Sequence, residues 1–115
     1  MSLDCPDPPA LVDFYQALLG GEVLWSSSSS AGLRTAGATL VTQRVDDYRV
    51  PDWPGSSIVH LDLSAGPSAD ETAAAVRRAI GLGARLAEQQ HDARWTVLLD
   101  PAGHPFCITT VTPEG

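Results

Sequence analysis

The sequence predicts an α+β fold made of two tandem βαβββ modules, and three observations lead there. The first is an internal correspondence: Leu3-Asp4 aligns with Leu61-Asp62 at an offset of 58, and Leu19-Gly20 aligns with Leu82-Gly83 at an offset of 63. Self-similarity at such a spacing marks a duplicated supersecondary unit. The second is a helical stripe in the first half, where Leu11, Phe14, Tyr15, Leu18 and Leu19 fall at i, i+3, i+4, i+7 and i+8. The third is the turn Asp100-Pro101-Ala102-Gly103, set between two short apolar runs rich in Val, Ile, Thr and Trp. Aspartate first, proline second and glycine fourth is type I turn chemistry, so the flanking runs read as a hairpin.

Taken in order, Ser2 to Cys5 is a short strand stopped by Pro6, and Asp7 before Pro8 and Pro9 is a helix start with a capping carboxylate. Gly20 and Gly21 end that helix. Glu22 to Trp25 reads as the second strand. The run Ser26 to Ser30 is expected to be a mobile loop, too polar and too simple to pack. Leu33 to Thr35 and Thr39 to Val45 form a hairpin around Ala36 and Gly37. Residues 46–57 carry prolines, a glycine and acids, and read as a linker within a single domain, 1–115, whose modules span 1–50 and 56–113.

The same order then repeats. Ile58 to Ser64 alternates as a strand, with Val59, Leu61 and Leu63 on one face and His60, Asp62 and Ser64 on the other. Ser68 with Glu71 is a capping box opening an alanine-rich helix through Leu82, with Val76 and Ile80 inward. Gly83 closes it, Ala84 to Glu88 is a strand, and Trp95 to Leu99 with Phe106 to Val111 completes the unit. His104 lies before Pro105, which holds it extended.

Bulk properties exclude several functions. The 115 residues suffice for one domain with a real core, since a chain of this size buries roughly 65% of its unfolded surface. Fourteen acidic residues stand against seven arginines and no lysine, giving a net charge of −7 and no basic patch. Nucleic-acid and anionic-membrane binding are therefore not expected. Nothing reads as a signal peptide or a membrane span, so the expected location is the cytoplasm. Cys5 and Cys107 are too far apart for a zinc or redox motif and are expected to be free buried thiols.

The layout resembles the vicinal oxygen chelate superfamily of glyoxalases, bleomycin-resistance proteins and extradiol dioxygenases, in particular its small glyoxalase-like actinobacterial members. The resemblance rests on Asp4-Cys5-Pro6-Asp7-Pro8, Phe14-Tyr15 with Leu18-Leu19-Gly20, Pro51-Asp52-Trp53-Pro54, His60-Leu61-Asp62-Leu63, Leu82-Gly83-Ala84 and Asp100 to Cys107. It implies a curved mixed sheet around a shared cleft with the helices outside, and a homodimer. It also implies, in metal-using members, ligands on the first and last strands of the modules, typically histidine and glutamate.

On that pattern the second module supplies His60 and, in the place of the glutamate, Cys107. The first supplies Ser2 opposite His60, and residues 23–45 hold no Asp, Glu, His or Cys at all. The expectation is thus no metal ligand set and no cofactor, with a divalent metal as the less favoured alternative. His60 has two readings: a histidine satisfied by a neighbour, or a neutral base facing a ligand, with Asp62 on the same face to influence its charge. Of the three tryptophans Trp25, Trp53 and Trp95, either Trp95 packs in a core and Trp53 covers an edge of the sheet, or one or more of them wall a binding cleft for an aromatic molecule. Arg34 and Arg44 either face solvent or offer an anion partner. His91, in a polar loop, and His104, in the turn, are read as bystanders.

Two functions follow from these residues. One is a metal-independent module binding a small, partly apolar or aromatic molecule through Trp25, Trp53, Arg34, His60, Asp62 and Cys107. The other is a lyase, isomerase or dioxygenase-type enzyme using His60 as base or metal ligand.

Overall fold

A computed structural model describes residues 2–36, 38–50, 61–64, 68–88, 90 and 95–109, with the backbone alone at 61, 62, 64 and 95. The expected positions His60, Trp53 and His91 lie outside the described residues. The chain forms two compact units, Met1–Val50 and Pro51–Gly115.

The first unit runs β1 (Ser2–Cys5), α1 (Pro8–Leu19), β2 (Glu22–Ser26), β3 (Ser30–Arg34) and β4 (Thr39–Arg44). Its sheet has the order β1-β4-β3-β2, with β1 parallel to β4 and the other pairs antiparallel. The helix starts where the sequence places it. Asp7 is extended and its Oδ1 accepts from the Ala10 amide at 3.2 Å, with Pro8 in the first turn where no donor is needed. Leu11, Val12, Phe14 and Tyr15 are buried, while Leu18 and Leu19 are half-buried. Thr42 Oγ1 donates to the Pro8 carbonyl at 3.0 Å, which shows that Thr42 and the residues alternating with it face α1. Leu3, Cys5, Ala31, Leu33 and Leu40 complete that buried layer.

The second unit repeats the order: β5 (Leu61–Ser64), α2 (Ala69–Gly81), β6 (Arg85–Leu86), β7 (Trp95–Leu99) and β8 (Pro105–Thr109), in a sheet ordered β5-β8-β7-β6. Again the first strand is parallel to the last. Ser68 caps α2, its Oγ accepting from the Glu71 amide at 3.1 Å. In the closing hairpin the Gly103 amide donates to the Asp100 carbonyl at 2.8 Å and the Asp100 amide to the His104 carbonyl at 2.9 Å. Gly103 has φ 90°, which a side chain would strain. Asp100 is 1% exposed, and its Oδ1 accepts from the amides of Ala102 at 2.9 Å and His104 at 3.0 Å. The carboxylate thus does the work of a missing strand for the turn's inward donors.

Two expectations require correction. The serine run is not a loose loop: β2 ends at Ser26 and β3 begins at Ser30, three residues earlier than read. The Ser27 hydroxyl accepts from the amides of Ser29 at 3.3 Å and Ser30 at 3.2 Å, so these side chains satisfy the turn backbone locally. Ile80 is 45% exposed instead of inward. The contact face of α2 passes through Thr72 and Ala79, both buried, and Ile80 lies about 100° further round the helix. The buried positions of α2 are small, and the large apolar side chain of Ile80 falls outside that face.

Candidate functional site

The face of the first sheet opposite α1 is open. Strict alternation from Val23, which pairs with Leu33 of the buried layer, would aim Leu24 outward and Trp25 inward toward α1. The register instead shifts between Val23 and Trp25, leaving Leu24 as the extra residue of a bulge and setting Trp25 opposite Gly32. One inserted residue therefore turns the indole to the open face, a known use of bulges beside binding sites.

Gly32 accommodates that ring. A Cβ built on it would come within 2.7 Å of Trp25 Cε3 and closer to Cζ3 and Cη2, so the indole lies directly on the glycine backbone. Its far edge is tethered, with Nε1 donating to Ser30 Oγ at 2.9 Å. Trp25 remains 42% exposed. The result is a flat apolar shelf, held in one orientation by a contact beneath it and a hydrogen bond at its rim.

Strand register sets polar groups around the shelf. One cross-strand row on the open face reads Asp4, Gln43 and Ser30; the next reads Ser2, Val41 and Gly32 under Trp25; the third reads Thr39, Arg34 and Glu22. Asp4, Gln43, Arg34 and Glu22 are all exposed. Arg34 lies two residues along β3 from Gly32 and directly across from Glu22. Arg44 alternates to the other side, where its Nη2 lies 3.6 Å from the Asp46 carboxylate.

The second sheet differs at the equivalent positions. Asp4 pairs with Gln43 as Asp62 pairs with Cys107, and Ser30 pairs with Gln43 as Val97 pairs with Cys107. Gly32 by the same register corresponds to Leu99. Cys107 is 3% exposed and clusters with Ala87 and Val97, with Leu99 packed against them. Both cysteines are free and buried, and Cys5 Sγ donates to the Gln43 carbonyl at 3.7 Å.

Among the sequence-predicted site residues, Trp25 and Arg34 therefore share the open face of the first sheet. Asp62 and Cys107 are register partners in the second, and His60 and Trp53 fall outside the described residues. Among the described residues no group of three or more His, Cys, Asp or Glu could hold a metal ion. With Cys107 packed in an apolar cluster, the described donors do not fit a hard divalent cation, which requires several converging oxygen or nitrogen ligands. Among the described residues no helix is long and apolar enough to cross a membrane.

Sequence reasoning missed Gln43, Ser30 and Gln90. Gln90 holds β7 with its amide: Nε2 donates to the carbonyls of Ala87 at 2.8 Å and Val97 at 2.9 Å, while Oε1 accepts from the Val97 amide at 2.9 Å. Strand pairing reveals the place of Gln43, and side-chain hydrogen bonds reveal those of Ser30 and Gln90.

A glyoxalase-like domain model matches residues 1–109. No curated protein matches the sequence. Among solved structures, the fosfomycin resistance protein FosX of Listeria monocytogenes is similar with a TM-score of 0.75 at 17% identity, over 99% of this chain and 90% of that one. A mutant of FosX, solved with Mn(II) and 1S,2S-dihydroxypropylphosphonic acid, gives 0.72 at 19% identity over 98% and 88%. A glyoxalase/bleomycin resistance protein/dioxygenase family enzyme of Burkholderia phytofirmans PsJN gives 0.67 at 22% identity over 94% and 93%. Identities this low establish the fold alone. Two sheets of identical strand order, each starting with a parallel β1-type pair, and a family model spanning nearly the whole sequence show that the chain belongs to the glyoxalase-like domain family of the vicinal oxygen chelate superfamily.

Proposed function

We propose that the protein binds a small, partly apolar or aromatic molecule on the open face of its first sheet, against Trp25, without a divalent metal. The observation behind this is the bulge at Leu24, which turns a tryptophan out of the core and lays it on a glycine. A large ring left half in water loses part of the burial that would otherwise favour it, and a ligand stacking on it restores that contact. Arg34, Glu22 and Gln43 around the ring supply orientation, the usual composition of a small-molecule site. The metal-independent part rests on the packing of Cys107 and on the residues at the first module's equivalent positions, Ser2 and Gln43. A homodimer in the cytoplasm, with no nucleic-acid partner for a chain of net charge −7, completes the reading.

Titration with a panel of neutral aromatic compounds, followed by thermal shift, tests it. Midpoints should rise for flat bicyclic compounds in the wild type and not in Trp25→Ala. No shift with any compound would remove the binding reading.

The second reading is a lyase, isomerase or dioxygenase-type enzyme with His60 as base or metal ligand. It is favoured by the Mn(II) held by the FosX mutant. One equivalent of Mn, Fe, Ni or Zn in protein purified without chelators would select it over the first, and His60→Ala should then abolish turnover.

A further inference from the structure

Resting on that binding reading, we infer that the molecule bound beside Trp25 is a planar heterocycle carrying an adjacent N–H donor and carbonyl acceptor, a lactam-type edge, and that Gln43 reads this edge. Gln43 is exposed on the open face of β4, directly across from Ser30, whose hydroxyl already tethers the indole. Neighbouring strands lie about 4.8 Å apart, so the Gln43 amide stands at the rim of the shelf, one strand beyond the ring's fixed edge. A ring stacked on Trp25 and reaching past Ser30 therefore presents its own edge to a primary amide.

A glutamine amide offers one donor and one acceptor in a single plane, and pairs in two places with any edge that offers the reverse. The same pairing lets glutamine select adenine by its N6 and N7 atoms. This protein makes such a contact internally, where the Gln90 amide both donates to and accepts from Val97. Ser30 adds a second group. Its oxygen accepts from Trp25 Nε1, which leaves the hydroxyl proton to be donated to a ring acceptor. At the equivalent positions of the second sheet, Val97, Leu99 and Cys107 have no donor set of this kind, so the amide-reading edge belongs to the first module.

The test compares three two-ring probes by calorimetric titration: carbostyril, which has the lactam edge; N-methylcarbostyril, in which the donor is blocked; and quinoline, which lacks the carbonyl. Wild-type protein should bind carbostyril about tenfold more tightly than either of the others, the discrimination two neutral hydrogen bonds give. In Gln43→Leu the three affinities should fall within about twofold of one another. Gln43→Glu keeps an acceptor and loses the donor, and should also lose the preference. If quinoline binds and Trp25→Ala removes it, but carbostyril has no advantage in the wild type, the lactam inference is wrong and the binding reading stands. If no probe binds, both fall.

Discussion

Replacing Gly32 by alanine separates ligand binding from stability. The new Cβ would meet Cε3 of Trp25 at 2.7 Å and two further ring atoms closer still, whereas carbon atoms rest about 3.5–4.0 Å apart. The ring must therefore lift by roughly 1 Å or swing away, and at 42% exposure it has space to do so. The backbone does not object, because Gly32 is not among the positive-φ glycines. Removing a glycine from the unfolded chain stabilises by about 0.4–1 kcal/mol. Losing the Trp25–Ser30 hydrogen bond costs about 0.5–1.5 kcal/mol, at the low end for so exposed a pair. These terms nearly cancel, so urea denaturation should place Gly32→Ala within about 1 kcal/mol of the wild type. Binding has no such compensation. Stacking on an aromatic shelf is worth about 1–3 kcal/mol, so affinity for carbostyril should fall by about 5- to 140-fold in calorimetry. A variant of wild-type stability that binds carbostyril within twofold of wild type would refute the assignment of Trp25 as the shelf.

Three further outcomes follow from the described contacts. Gln90→Leu removes both bonds to Val97 and the bond to Ala87, and should speed hydrogen exchange at the Val97 amide at least about tenfold while costing about 1–3 kcal/mol in urea. Asp100→Ala strands the turn amides of Ala102 and His104, the former buried, and should cost about 2–4 kcal/mol by denaturation, whereas Pro101→Ala, at an exposed position, should cost under about 1 kcal/mol. Asp7→Ala and Ser68→Ala should each cost about 1 kcal/mol and add when combined, since the caps belong to different helices.

Much of the fold was legible because its determinants are local. Asp7 and Pro8 start a helix, and Asp100-Pro101-Ala102-Gly103 makes a turn, through contacts within four residues of themselves. The duplication was legible because both halves keep the same order of such signals. The site was not, because its determinants are relational. Which face Trp25 takes is decided by a register shift against β3, and alternation within β2 alone points it the wrong way. Ser30 looked like part of a featureless run, yet its role is defined by an indole five residues earlier. Ile80 was misplaced because the rotation of α2 is set by the sheet beneath it, which selects the small Thr72 and Ala79.

The two halves descend from one plan and have divided its labour. At three matching positions one half holds Ser30 and Gly32 against the Trp25 ring and Gln43 exposed, and the other holds Val97, Leu99 and Cys107 packed together. Mutational tolerance should therefore be bipartite. On the proposed site, random substitution along β3 and β4 on the open face should retune which molecules are held while the protein keeps folding, and the same substitutions along β7 and β8 should fail at folding first. For directed evolution this makes the first module an adjustable half and the second its ballast, so a library aimed at new ligands belongs almost entirely within the first fifty residues.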